Sequence, residues 1–519
     1  MYLTQGLQRT LQHDPQRIVT IFGERRRTYQ QFAERIARLA GALRALGMVA
    51  DDRVSMLALN SDRYVEYMMA VWWGGGVLNP INIRWAVPEI VYSLDDCNTR
   101  FLIVDDQFLP MVEGIRASAR CAPVFIYAGE RAEVPEGMLG YEALIAEHEP
   151  VADAGRGGQD LACIMYTGGT TGFPKGVMQT HLNLWSACIQ RMAEIPQSSS
   201  NRDLHVMPLF HIAGLARVVS GFIAGGSQVI VANFEPGAIL GLIEREGVTD
   251  TILVPTMILA LLAHPDFDRR NLGSLKRLTY GASPTAGEMI EQVLARLPEL
   301  ELSHSYGLTE ACPIVSTNPP QNHTAQARAS GLSRSVGRCG FGVLAKVVDE
   351  EGREVPRGAV GEIIVRGPNI MVGYWNKPEE TAKALRGGWL YTGDGAYMDE
   401  QGYLYIVDRL KDMIISGGEN VYSAEVENII ARHPAVMMCA VIGVPHEQWG
   451  ESVHAVVVLK PGAQTSEEAL RAHCRDYIAG YKCPKTVEFR EALPLSGAGK
   501  ILKRELRDPF WAGKTKAVN

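Results

Sequence analysis

The sequence predicts an α/β protein, with a large N-terminal α/β domain of several subdomains over residues 1–408 and a small C-terminal α+β domain over 409–519. Three observations predict this. Short apolar runs at 54–59, 101–104, 124–127, 228–231 and 251–254 alternate with helical or turn-rich stretches, as in largely buried sheets flanked by helices. From Val343 the runs become strand-dense (343–348, 361–365, 402–407), which reads as a smaller β-rich unit added to the α/β body. After Asp408 the pattern changes again, into a compact unit of roughly one hundred residues, with the main boundary at 408–411.

The first helix starts at Thr28, which forms a capping box with Gln31. Phe32, Ile36, Leu39 and Leu43 then recur at helical spacing, and Gly47 closes the run. Apolar strands at 161–165 and 275–280 each lead into a Gly-containing turn. In the C-terminal unit a Gly-rich loop (416–420) precedes a helix with Val426, Ile429 and Ile430 on one face. Strands at 438–444 and 453–459, a helix from Ser466 and a strand at 486–489 follow.

Composition narrows the function classes. Of the 519 residues, 46% are hydrophobic and 21% charged, an ordinary globular balance that excludes a largely disordered chain. The 51 basic and 58 acidic residues leave a net charge of −7, so no nucleic-acid partner and no general attraction to anionic membrane is expected. Nine scattered cysteines without a CxxC pair suggest neither a disulfide framework nor a zinc site. The first residues lack a basic region followed by an apolar stretch, and the most apolar stretch, 68–77, is too short to span a bilayer. A reduced, cytoplasmic protein without a transmembrane segment is the expectation.

The most informative segment runs from Tyr166 to Gly176, Tyr-Thr-Gly-Gly-Thr-Thr-Gly-Phe-Pro-Lys-Gly. Its glycines allow backbone N–H groups to close on an anion, and Thr167, Gly168, Gly169, Thr170, Thr171 and Lys175 supply the donors and charge that hold a polyphosphate. It is not a Walker A loop, because Lys175 follows Pro174 and precedes Gly176. The segment resembles the phosphate loop of the AMP-forming acyl-CoA synthetases, the family shared with firefly luciferase and the adenylation domains of peptide synthetases. Further motifs resembling that family occur in the same order along nearly the whole chain.

The resemblance implies a role for each. In Pro208–Gly214, His211 lies near the acyl carbonyl and lines the pocket rather than serving as general base. Gly281, Ala282 and Ser283 line the acyl and adenine sites. In His304–Glu310, Ser305 and Tyr306 meet adenine, Thr309 meets the α-phosphate and Glu310 helps hold Mg²⁺; an aromatic face suits a purine and a hard carboxylate suits magnesium. Asp394, in Trp389–Asp394, accepts from the ribose hydroxyls, and Arg409 reaches ribose or phosphates. Lys411 is the hinge about which the C-terminal domain is mobile, and Gly417 and Gly418 pack beside the pantetheine arm of coenzyme A. Lys500, in Pro494–Lys500, bridges carboxylate and α-phosphate. Lys500, Glu310, Arg409 and His211 form the implied catalytic set.

The implied activity is ATP-dependent ligation of a carboxylic acid to coenzyme A through an acyl-adenylate, with ATP, Mg²⁺ and coenzyme A required. A medium- or long-chain fatty acid is the expected substrate, with an aromatic (phenylpropenoid or benzoate-type) or short sulfur-containing acid as alternatives. A homodimer, and an acetyltransferase and deacetylase acting on Lys500, are further expectations. Three rivals stand beside this reading. An amino-acid adenylation domain is disfavoured because Met207–His211 lacks an Asp and the chain ends soon after Lys500. A luciferase-like oxygenase shares the motifs. A non-catalytic nucleotide-binding regulator has no need of Glu310, Arg409 and Lys500 together.

Overall fold

The computed structural model describes residues 1–167, 174–281, 287–410, 412–417, 419–497 and 499–512. Four sheets organise them. The first has nine strands, in the order Arg338–Cys339, Ser316–Asn318, Glu301–Tyr306, Arg277–Gly281, Asp250–Leu253, Arg202–His205, Ser227–Ile230, Ile18–Phe22 and Arg25–Thr28. Its interior pairs are parallel and its edges antiparallel. The second has eight strands and includes the hairpin Leu161–Thr167 with Lys175–Thr180.

Between these sheets lies the largest core cluster, fed by Val19 and Ile230 of the first, by Val54, Phe101 and Met165 of the second, and by the helices Asp62–Gly74 and Ile212–Ala224. Both helices are buried almost all round, and the charges they carry, Asp62, Arg63 and Glu66 on the first and Arg217 on the second, are held in ion pairs. The capping box of Thr28 and Gln31 is present, and the helix it starts, Tyr29–Ala45, buries Phe32, Ile36, Leu39 and Leu43. No helix among the described residues is long and apolar enough to cross a membrane.

The third sheet is built from Leu344–Val348, Gly361–Arg366, Trp389–Met398, Leu385–Arg386 and Leu404–Arg409. The fourth, with five strands, begins at Ile414–Ser416 and centres on the long pair Val436–His446 and Gly450–Leu459. A polar latch joins third to fourth. The Asp408 carboxylate accepts from the Ser423 backbone N–H (2.5 Å) and hydroxyl (2.6 Å), Lys503 donates to the same hydroxyl, and Lys503 pairs with Glu427 at 2.7 Å.

One buried charge cluster sits between the first sheet and its helices. Arg217 pairs with Asp203 (2.7 Å) and with Asp250, and Arg277 pairs with Asp250 at 2.7 Å. Removing one member of such a set strands the opposite charges away from water. Arg217→Met is expected to lower stability by ~3–5 kcal/mol, read as a drop in the urea midpoint. A midpoint equal to that of the unmodified protein would show that the carboxylates do not need the Arg217 guanidinium.

Candidate active site

The site assembles where the ends of the first, second and third sheets meet. Glu301–Tyr306 carries Tyr306 to its end, and Thr309 and Glu310 follow in a 3₁₀ turn. The turn between them is tight: a Cβ on Gly307 would lie 1.5 Å from the Pro313 carbonyl oxygen, so only glycine fits. The Tyr306 hydroxyl donates to Asp394 Oδ2 at 2.7 Å. Asp394 is cross-strand from Arg409, whose Nε stands 3.6 Å from Oδ1. Tyr306, Asp394 and Arg409 thus form one group.

Glu310 belongs to a second group. Its Oε1 accepts from the Tyr374 hydroxyl at 2.9 Å, and the Lys175 ammonium sits 5.1 Å from the Tyr374 ring centroid. Thr167 and Lys175 face each other across their hairpin. The Thr309 carbonyl accepts from Gln179 Nε2 at 2.7 Å, which pins the 3₁₀ turn to the strand that starts at Lys175. Tyr374 was not legible in the sequence; it lies in a two-residue strand far from Glu310 along the chain and in none of the recognised motifs.

Lys500 enters from the C-terminal unit. Its loop docks on the N-terminal body: the Leu495 carbonyl accepts from Arg84 at 2.7 Å, and a Cβ on Gly497 would meet Phe210 Cζ at 2.9 Å. Burial, then the Arg409 charge, lower the Lys500 pKa while Asp394 and Glu310 act to raise it, and together they bring it down to about 8. The three charges that act on Lys500 therefore come from both groups described above.

His211 is the N-cap of Ile212–Ala224; its Nδ1 accepts from the Ala213 N–H at 3.3 Å, leaving the ring proton on Nε2. Burial, then the nearby Lys500 charge, pull its pKa down to about 3. A neutral ring this weakly basic suits a wall better than a proton acceptor.

Gly281 stands cross-strand from Ser305, whose Oγ is buried without a hydrogen-bond partner among the described residues. Gly417 is placed elsewhere. It donates to the Trp449 carbonyl at 2.9 Å in the fourth sheet, where Trp449 stacks on His446. Gly168, Gly169, Thr170, Thr171, Ala282, Ser283, Lys411 and Gly418 lie outside the described residues.

Among the described residues no three His, Cys, Asp or Glu side chains gather closely enough to hold a metal by themselves. That fits magnesium, which commonly takes one or two carboxylates and completes its shell with substrate phosphates and water. Glu310, with one oxygen engaged by Tyr374, is a donor of the right kind.

Comparison with known proteins shows the family. Residues 7–375 match the AMP-binding enzyme family and 425–500 match the AMP-binding enzyme C-terminal domain. The feruloyl-CoA synthase of an Amycolatopsis species is 41% identical over 484 residues, covering 93% of this chain and 94% of that protein. The fatty acid–acyl-carrier-protein ligase of Streptomyces coeruleorubidus is 37% identical over 512 residues, covering 98% and 96%. ATP-bound MatB from Rhodopseudomonas palustris superposes with a TM-score of 0.89 at 31% identity, covering 98% of this chain and 99% of that one. The chain belongs to the AMP-binding enzyme family and is an adenylate-forming acid–thiol ligase.

Proposed function

We propose that this ligase joins an aromatic acid of phenylpropenoid size to coenzyme A in two half-reactions. The convergence of Lys500 with Glu310, Asp394 and Arg409 carries the reading, because it gathers what adenylation needs around one point. In the first half-reaction a carboxylate oxygen bonds to the α-phosphorus of ATP, and the bond to the bridging oxygen breaks to release pyrophosphate. Lys500 offsets the negative charge of both partners as they meet, a contribution that matters most where water is excluded. Tyr306 offers its ring to adenine, Asp394 accepts from the ribose hydroxyls, Arg409 meets ribose or phosphate, and Thr167, Lys175 and Thr309 hold the phosphates. Glu310 would hold Mg²⁺, which when bound neutralises phosphate charge. In the second half-reaction the thiol gives up its proton to solvent, its sulfur bonds to the acyl carbon, and the bond from that carbon to the phosphate oxygen breaks so that AMP leaves, with the loop at Gly417 beside the pantetheine arm and the C-terminal domain, residues 409–519, turned about Lys411.

The acid class rests on similarity. The sequence favoured a fatty acid. The 41% identity to a feruloyl-CoA synthase, against 37% to a fatty acid ligase, moves the aromatic acid to first place and leaves a medium- or long-chain fatty acid as the second reading.

AMP release with ATP, Mg²⁺ and coenzyme A across aliphatic and aromatic acids tests the activity; dependence on both acid and coenzyme A is expected, and no response to any acid would overturn it. Lys500→Ala is expected to slow acyl-adenylate formation at least a hundredfold while sparing thiolation of supplied acyl-adenylate. Equal loss in both steps would refute the division of labour. In the pH profile, kcat/KM for adenylation should fall as pH rises through about 8, where free-enzyme Lys500 loses its proton. The limb in kcat should lie higher, since bound phosphates favour the charged form. A flat kcat/KM between pH 7 and 9.5 would separate Lys500 from the step.

A further inference from the structure

The segment 371–376 runs between two parts of the site and is fixed to both by its backbone. The Met371 N–H donates to the Glu310 carbonyl at 2.8 Å, the Val372 N–H to the Met178 carbonyl at 3.1 Å and the Trp375 N–H to the Gly176 carbonyl at 2.7 Å. Gly373 and Tyr374 pair antiparallel with Met178 and Val177 of the strand that starts at Lys175. The far side is held as well. Thr381 Oγ1 accepts from the Tyr374 N–H at 2.9 Å, and the Asp96 carbonyl accepts from Trp375 Nε1 (2.9 Å) and Asn376 Nδ2 (3.0 Å). The backbone thus sets Tyr374 between the Glu310 turn and the Lys175 hairpin.

Tyr374 meets the two charges with different parts of one side chain. Its hydroxyl donates to Glu310 Oε1, and the electron-rich face of its ring attracts the Lys175 ammonium. Burial, then the Glu310 charge, push the Tyr374 pKa well above its ordinary value, so the hydroxyl remains a donor. Among the described residues no ion pair joins Lys175 to Glu310, although both converge on this one ring. Opposite charges in a part-buried cleft attract strongly. A direct Lys175–Glu310 pair would engage the ammonium and the carboxylate with one another. A phosphate chain carrying Mg²⁺ needs both, the ammonium for phosphate oxygens and the carboxylate for the metal. A carboxylate with one oxygen on a hydroxyl keeps the other for a metal.

We infer that Tyr374 is a positioning residue that keeps Lys175 and Glu310 apart until nucleotide arrives, so that MgATP meets two separate charges rather than an ion pair it must first break. The inference rests on the acid-ligase reading, in which Lys175 holds phosphate and Glu310 holds Mg²⁺. An ion pair present only before binding weakens binding and leaves the chemical step alone, so the effect belongs in KM for ATP and not in kcat.

Two measurements test it. Isothermal titration calorimetry with MgATP and no acid gives the dissociation constant, and AMP release at saturating acid and coenzyme A gives KM for ATP and kcat. Tyr374→Phe keeps the ring and removes the donor to Glu310. It is expected to weaken MgATP binding at least fivefold and to raise KM for ATP by a similar factor, with kcat within twofold. In a Lys175→Met background no ion pair can form, so there Tyr374→Phe should change the dissociation constant less than twofold. The same loss in both backgrounds would make Tyr374 an ordinary structural residue and overturn the inference. An unchanged dissociation constant in Tyr374→Phe, or a fall in kcat at unchanged KM, overturns it too. Each of these leaves the ligase reading standing, whereas failure of the unmodified protein to bind MgATP overturns both.

Discussion

An ammonium group held where water is scarce is the constraint on which this site depends. Desolvation works against the charge of Lys500, and Arg409 adds to the opposition; the carboxylates of Asp394 and Glu310 offset both. Those carboxylates are themselves held, Asp394 by Tyr306 and Glu310 by Tyr374. The balance exists only if the C-terminal unit approaches closely, which the contacts of its loop with Arg84 and Phe210 bring about. Docking, the two tyrosine–carboxylate pairs and the lysine are therefore parts of a single electrostatic arrangement.

The interior of the N-terminal body contains buried polarity of two kinds. Around Arg217 the charges answer one another, which fixes the helix Ile212–Ala224 over the sheet and with it His211 at the helix start. Around Gln190 and Thr317 several side-chain atoms have no hydrogen-bond partner among the described residues. Unpartnered atoms occur in both, Arg217 Nε and Asp203 Oδ2 among them, so the two differ in charge rather than in how completely the described residues satisfy them.

Much of the architecture was legible because long periodic segments carry their own signal. The helix after Thr28 is where its capping box and apolar spacing put it, and the runs at 101–104, 124–127 and 251–254 became strands displaced by at most two residues. The helix Gln5–His13 and the two-residue strands Arg338–Cys339 and Gly373–Tyr374 went unread, the strands because two residues have no period. Candidate site residues within contiguous motifs could be proposed from their neighbours. Tyr374, the Asp408–Ser423 latch and the partners of Arg191 could not, since each depends on contacts between distant parts of the chain. The orphaned atoms are invisible to sequence altogether, being defined by what the fold fails to supply.

Tyr306 and Ser305 are neighbours in one strand, and alternation turns them to opposite faces. One face meets Asp394 and Arg409; the other meets Thr317. Substitutions at the two residues therefore act on opposite sides of a single backbone.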